Sequence, residues 1–178
     1  MPIAITGTGL FTPPHSISND ELVAAFNAYV DAENAKNADA IARGEKKALE
    51  KSSADFIVNA SGIVRRYAMD RVGILDPNIL APRIPERSND EPSLQCEMAI
   101  AAAREALAQA NTTPDRIDAV IVACSNLQRP YPAISIEVQA ALGTKGFAFD
   151  MNVACSSATF GINMARDLIT GGSAKGVL

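Results

Sequence analysis

Apolar positions along the chain alternate between short β-branched runs and longer stripes of helical period. The opening Pro2-Ile3-Ala4-Ile5-Thr6-Gly7-Thr8-Gly9-Leu10 is β-branched and ends in glycines, which predicts a strand entering a tight turn. Pro13-Pro14 breaks the pattern, and Ser18-Asn19-Asp20-Glu21 then supplies capping residues for a helix from about Asn19 through Phe26 and Tyr29. Segment 31–53 has few large apolar residues and many Ala, Lys, Glu, Asn and Asp. It predicts one or two exposed helical pieces broken near Gly44, either a plain solvated face or an insertion that lids a site. Apolar character returns over 54–69, in Phe56-Ile57-Val58 and Ser61-Gly62-Ile63. Segment 73–93 carries Pro77, Pro82, Pro85 and Pro92 and predicts a long irregular connection, of a length usually functional or mobile.

The second part of the chain is more regular. Cys96, Ile100, Ala103, Leu107 and Ala110 recur at spacings of four and three and predict a helix over 93–110. Asp118-Ala119-Val120-Ile121-Val122-Ala123-Cys124-Ser125 reads as a strand buried on both faces. Pro130-Tyr131-Pro132 marks a loop, 134–142 a helix stopped at Gly143, and Phe147-Ala148-Phe149-Asp150 a short strand. A helix over 154–169 places Ala158, Ile162, Ala165 and Ile169 on one stripe and stops at Gly171-Gly172. Residues 174–178 look like the start of another strand. Strands alternating with helices predict an α/β fold with a mainly parallel sheet.

Composition narrows this picture. The chain has 178 residues, 48% hydrophobic and 20% charged, the balance of a folded globular chain rather than a disordered one. A net charge of −4 argues against a nucleic-acid partner, whose phosphates call for a basic surface. No apolar run approaches the roughly 20 residues that span a bilayer. The N-terminus shows no secretory leader, and three cysteines at 96, 124 and 155 form no disulfide framework, so a membrane partner is not expected and a cytoplasmic location is. His15 is the single histidine, so no two-histidine metal site can be built and any Cys–His pair would need it.

One stretch carries candidate chemistry: Phe149-Asp150-Met151-Asn152-Val153-Ala154-Cys155-Ser156-Ser157-Ala158. A strand, a turn and a helix with small residues in its first turn would put Cys155 at a helix N-terminus. Unpaired N–H groups and the helix dipole favour a thiolate there. This is the strand–turn–helix logic of a nucleophile elbow, with sulfur in place of hydroxyl. The competing reading is a cysteine serving as a small hydrophobe. Cys96, on its helix's apolar stripe, and Cys124, at a strand end, read as structural, and His15 reads as a surface-loop residue.

In their order along the chain, three stretches resemble the N-terminal half of the β-ketoacyl-acyl-carrier-protein synthase III family, condensing enzymes of the thiolase fold. They are Ile5-Thr6-Gly7-Thr8-Gly9 with Ser18-Asn19-Asp20-Glu21-Leu22; Asp55-Phe56-Ile57 to Ser61-Gly62-Ile63; and Ile121-Val122-Ala123-Cys124-Ser125 through Pro132 to Phe149-Asp150 and Ala154-Cys155. Segments 31–53 and 73–93 resemble the subgroup that extends a medium-chain, octanoyl-like primer to a β-ketodecanoyl product. The resemblance implies an acyltransferase of fatty-acid biosynthesis needing no cofactor, with acyl-CoA and malonyl-acyl carrier protein as substrates. By position Cys155 matches the nucleophile, its own N–H an oxyanion donor. Tyr131 matches an aromatic that reaches across a homodimer interface toward the partner's acyl pocket, Phe56 an aromatic at the pantetheine entrance, and Arg66 a family arginine.

Departures accompany the match. Ser156-Ser157-Ala158-Thr159 replaces the usual glycine-containing sequence after the cysteine, and Ala60 stands where an arginine is common, which implies altered contacts to CoA phosphates or carrier protein. The family's catalytic His and Asn lie in a C-terminal half, which His15 does not replace. Residues 1–178 are therefore expected to be one thiolase-like half, completed by a separate chain or a missing segment. The alternatives are a non-catalytic half used in assembly or binding, and another acyltransferase of the same superfamily.

Overall fold

The computed structural model describes residues 3–88 and 90–178. Pro2 of the expected first strand and Asn89 of the expected irregular segment lie outside the described residues. The chain divides into two compact units, Thr12–Glu86 and a second formed by residues up to Phe11 together with Arg87–Leu178.

In the first unit, β1 (His15–Ser18) pairs antiparallel with β2 (Arg65–Ala68), from His15↔Ala68 to Ser18↔Arg65. His15 is thus an exposed strand residue rather than a loop residue, because its backbone finds a partner 53 positions away that local sequence does not reveal. Helix α1 (Asn19–Lys36) starts where Ser18 caps it: Glu21 N–H donates to Ser18 Oγ at 3.3 Å, and Ser18 N–H donates back to the Glu21 carboxylate at 2.9 Å. The Ser18 backbone and hydroxyl donors, with the Arg71 guanidinium behind them, hold the Glu21 carboxyl below the usual range. The helix runs beyond Tyr29 to Lys36, and α2 (Ala38–Ala42) follows with no buried residue. Gly44, at φ +70°, breaks the helical run near the expected place.

The chain then returns along α1. Asn27 Nδ2 donates to Ser52 O at 3.0 Å while Ser52 N–H donates to Asn27 Oδ1 at 2.9 Å. Asn34 and Leu49 repeat the same reciprocal pair at 3.0 and 2.9 Å. Seven helical residues rise about 10 Å, and three extended residues span about the same. The two amides therefore act as rungs that strap 49–52 onto the helix and deliver the chain to Ser53, the N-cap of α3 (Ala54–Ser61). Farther on, Asp70 accepts from the N–H groups of Val72 (2.9 Å), Gly73 (3.1 Å) and Arg83 (2.5 Å). It thereby caps the short α4 (Val72–Leu75) and ties down the irregular segment that follows.

The second unit is built around two parallel strands. β3 (Ala119–Ala123) pairs with β4 (Phe147–Met151), from Ala119↔Phe147 to Ala123↔Met151. On its other edge β3 meets the end of the chain in a parallel bridge, Ala119↔Val177, with Ile121 N–H donating to Leu178 O at 2.9 Å. Helices α5 (Leu94–Gln109) and α6 (Ile134–Leu142) have the expected extents; Gly143 ends α6 at φ +71°. Cys96 and Leu107 of α5, Ile134 and Val138 of α6, Ile117 and Val120 form the buried core. Helix α7 (Ser157–Thr170) lies against β3 at Gly161, where a Cβ would sit 3.0 Å from the Ala123 Cβ.

Two expectations fail here. Residues 3–11 form no strand. They lie along α5: Thr8 Oγ1 donates to Gln109 Oε1 at 3.0 Å and Leu10 N–H to Glu105 Oε2 at 2.8 Å. Gly7 and Gly9 serve this close approach rather than a turn, since a Cβ at either would collide with the α5 carbonyl of Ala106 or Ala102. The apolar stripe of α7 is also not packed into the core. Ala158, Ile162, Ala165 and Ile169 line, with Ile121 and Ala123, a cavity of about 830 Å³, and Ile162 is 60% exposed. The buried face of α7 is instead the small pair Ser157 and Gly161, which lets the helix approach the strand.

Candidate functional site

Cys155 follows β4 in a single 3₁₀ turn, Ala154–Ser156, immediately before α7. The helix thus begins three residues later than the apolar period suggests. Cys155 is exposed, whereas Cys96 is buried and Cys124 half-buried. Its position before the first α-helical turn leaves nearby N–H groups without intrahelical partners. The preceding residue, Ala154, has φ +47°, a left-handed conformation unfavourable for a residue with a Cβ. Polar side chains hold this turn from both sides. Asn152 Oδ1 accepts from Ala154 N–H at 3.0 Å, and its amide donates to Ser125 O at 3.2 Å. Ser157 Oγ donates to Ala154 O at 2.7 Å and accepts from Val153 N–H at 2.9 Å. An exposed thiol on an over-determined turn at the end of a parallel strand can serve as a presented nucleophile.

Asp150, near the end of β4, joins this turn to a second element. Its two carboxylate oxygens accept from Ile134 N–H at 2.9 Å and Ser135 N–H at 2.8 Å, capping α6 across the sheet. The loop before α6 bears Tyr131, which is 89% exposed and joined to Pro132 by a cis peptide. Cys155 and Tyr131 therefore belong to one unit, with Asp150 tying the element under the first to the element beside the second. Sequence reasoning missed Asn152, Ser157 and Asp150; the short polar residues flanking Ala154-Cys155 were the available signal, because Asn, Asp and Ser side chains bond nearby backbone.

Phe56 and Arg66 belong to the other unit. Phe56 lies in the first turn of α3, its N–H donating to Ser53 Oγ at 3.1 Å, with 66% of its surface exposed. The next residue, Ile57, lines an apolar cavity of about 330 Å³ with Phe26, Ile74 and Leu80. Arg66 donates from Nη1 to Asn19 Oδ1 at 3.1 Å, a tie between β2 and the start of α1. Asn19, 4% exposed, also donates to Ile63 O at 2.6 Å, so its amide is an anchor that sequence reasoning assigned only to capping. His15 lies on β1 of this same unit.

Cys96 differs from Cys155 in chemistry as well as place. Burial pushes its thiol up to about 11, helped by the negative charges of Glu137 and Glu97. It is a core atom and no nucleophile at neutral pH. Among the described residues no group of three His, Cys, Asp or Glu side chains is arranged to hold a metal ion, and no helix is long and apolar enough to cross a membrane.

No protein-family model matches the chain. It is 58% identical over 154 residues to a β-ketodecanoyl-[acyl-carrier-protein] synthase of Pseudomonas aeruginosa, a match covering 86% of this chain and 44% of that protein. It is 49% identical over 82 residues to a β-ketoacyl-[acyl-carrier-protein] synthase III of Granulibacter bethesdensis, covering 46% of this chain and 26% of the relative. The crystal structure of 3-oxoacyl-[acyl-carrier-protein] synthase III from Aquifex aeolicus superposes with a TM-score of 0.64 at 25% identity, over 96% of this chain and 41% of that one. The chain thus spans less than half the length of the proteins it matches. It is homologous to the N-terminal part of the β-ketoacyl-[acyl-carrier-protein] synthase III proteins and has the thiolase-type α/β fold of that part.

Proposed function

We propose that this chain supplies the nucleophile-bearing half of a β-ketoacyl-acyl-carrier-protein synthase III-type condensing enzyme. The observation that carries the reading is the exposed Cys155 on its braced turn between β4 and α7. Cys155 Sγ attacks the thioester carbonyl of an acyl-CoA. A new C–S bond forms as the bond to CoA breaks, and the thiol proton leaves with the departing CoA sulfur. Backbone N–H groups at the turn, that of Cys155 included, stabilise the tetrahedral oxyanion. Loss of CO₂ from malonyl-acyl carrier protein then provides a carbanion. It attacks the acyl-enzyme carbonyl, forms the C–C bond, releases the cysteine and leaves a β-ketoacyl-acyl carrier protein. The substrates carry all of this chemistry, so the reading needs no cofactor.

The 58% identity to a protein named β-ketodecanoyl synthase supports a medium-chain, octanoyl-like primer. In this reading Tyr131 reaches the acyl pocket of a dimeric partner, Phe56 stands near the pantetheine entrance, and Arg66 is a further substrate-binding residue. Segments 31–53 and 73–93 are insertions or loops, and the enzyme works in the cytoplasm. The acid–base His and Asn come from the part of the fold outside the matched region. His15, the single histidine here, is not that group.

The test is intact-mass and peptide mass spectrometry of the assembled protein after incubation with octanoyl-CoA. An octanoyl adduct on Cys155 is expected, and its absence would sink the reading. The lone exposed histidine favours one competitor, a non-catalytic half kept for assembly. Under that alternative Cys155→Ala leaves product formation unchanged, whereas the condensing reading requires its loss.

A further inference from the structure

Glu137, in the first turn of α6, has a side chain only 10% exposed. One carboxylate oxygen accepts from Ser93 N–H at 3.2 Å and the other from Ser93 Oγ, so the carboxylate grips the N-cap of α5. Arg129, 14% exposed, places Nη1 3.6 Å from Glu137 Oε1 and donates from Nη2 to Glu91 O at 3.0 Å. Nη1 is buried and has no hydrogen-bond partner among the described residues, so the carboxylate is the group that offsets its charge. Removing two ions from water is costly, and pairing them repays that cost only in part; a pair of apolar residues would often serve stability as well. An ionic pair at this place therefore points to a role in geometry.

That geometry concerns the loop between β3 and α6. Arg129 precedes Tyr131 by two residues and Glu137 follows it by six. Gln95 of α5 fixes the loop's first half: Gln95 N–H donates to Gln128 Oε1 at 3.3 Å, Gln128 N–H donates back to Gln95 Oε1, and Gln95 Nε2 donates to Asn126 O. Asp150 fixes its far end through Ile134 and Ser135. These anchors hold the chain on both sides of Tyr131, from Asn126 to Ser135, yet the ring itself is 89% exposed and none of these hydrogen bonds is made to it.

We propose that Glu137, acting through Arg129, is a positioning residue for Tyr131 and thereby sets acyl-chain selectivity. The proposal rests on the reading above that Tyr131 faces an acyl pocket. The chain contains no tryptophan, so Tyr131→Trp places a single fluorescent reporter in it. In that background Glu137→Gln should lower the anisotropy of the indole fluorescence in the full chain. In the assembled protein with Tyr131 intact, Glu137→Gln should lower the ratio of octanoyl to acetyl transfer onto Cys155 about tenfold, within the range one or two methylenes of pocket fit command. Acetyl transfer should change less than twofold, on the order of 0.4 kcal/mol at 1.4 kcal/mol per tenfold.

Arg129→Lys, which keeps the charge opposite Glu137, should retain most of the ratio. Equal loss with both acyl donors would indicate a merely structural role and overturn the proposal, as would an unchanged ratio. If Glu137→Gln does not fold, the doubly neutral Arg129→Gln/Glu137→Gln protein carries the same test and the same criteria. Failure of unaltered protein to accept either acyl group overturns the condensing-enzyme reading and the selectivity role with it. Failure confined to the variants' selectivity overturns the positioning role alone.

Discussion

Replacing Asn27 by Ala should release the strap that runs back along α1. The side chain makes two hydrogen bonds to the backbone of Ser52, one in each direction, in partly buried surroundings. Each is worth about 1 kcal/mol net, so Asn27→Ala should cost about 2 kcal/mol. The Asn34 pair has the same form but is exposed to water, which competes for both groups; about 1 kcal/mol is expected there. The rungs stand about 10 Å apart and share no partner, so the double variant should come close to the sum, about 3 kcal/mol. At roughly 2–4 °C per kcal/mol, Asn27→Ala should lower the thermal midpoint by about 4–8 °C.

Hydrogen exchange makes the test local. The amides of Leu49 and Ser52 donate directly to the two asparagines, so each should lose protection in its own variant and keep most of it in the other. The consequence reaches Phe56, because Ser53, next after the strap, caps the helix that carries it. If Ser52 kept its protection in Asn27→Ala, the reciprocal amide pair would not be what holds this segment, and the reasoning would fail.

Further outcomes follow from single interactions. The Arg83, Gly73 and Val72 amides hold the Asp70 carboxyl below its usual range, Arg83 foremost. A depressed folded pKa stabilises above the unfolded value of about 3.9 and ceases to do so as pH falls through the lowered one. Stability measured from pH 6 down to pH 2 should therefore fall less steeply in Asp70→Asn, and equal slopes would contradict the assignment. Iodoacetamide at about pH 8 should alkylate exposed Cys155 first and Cys96 last, since burial holds the Cys96 thiol at about 11. Peptide mapping that finds Cys96 modified as quickly would refute its place in the core. Gly9→Ala puts a methyl group against the Ala102 carbonyl of α5 and should cost about 1–3 kcal/mol, with protection lost at the Leu10 amide. Unchanged exchange at Leu10 would mean that residues 3–11 do not lie along α5.

Much of the second unit could be read directly from the chain. Ser93 and Gly143 are start and stop signals whose effect is local: a hydroxyl that accepts the Cys96 N–H at 3.1 Å, and a residue able to adopt φ +71°. Both helices they bound were predicted within a residue or so. The apolar run 119–123 became a strand as predicted, but not one buried on both faces: only Ala119 and Val120 are buried, because Ile121 and Ala123 border the cavity beside α7. Cys155 was legible as a candidate because strand, turn and helix are each local patterns.

Tertiary structure alone decided the rest. The β-branched run at the N-terminus had strand propensity, yet β propensity becomes a strand only where an edge is offered, and residues 3–11 bind side chains of α5 instead. The stripe on α7 has a correct helical period, but period says nothing about whether a partner covers it; in this chain it borders a cavity. Asn27 with Ser52 and Asp150 with Ile134 are polar groups of common types, meaningful only once folding brings their partners from 25 and 16 residues away. Backbone propensity acts over a few residues and is encoded where it acts. Hydrogen-bond partners and covered faces depend on which distant segment arrives, and that is settled by the whole fold.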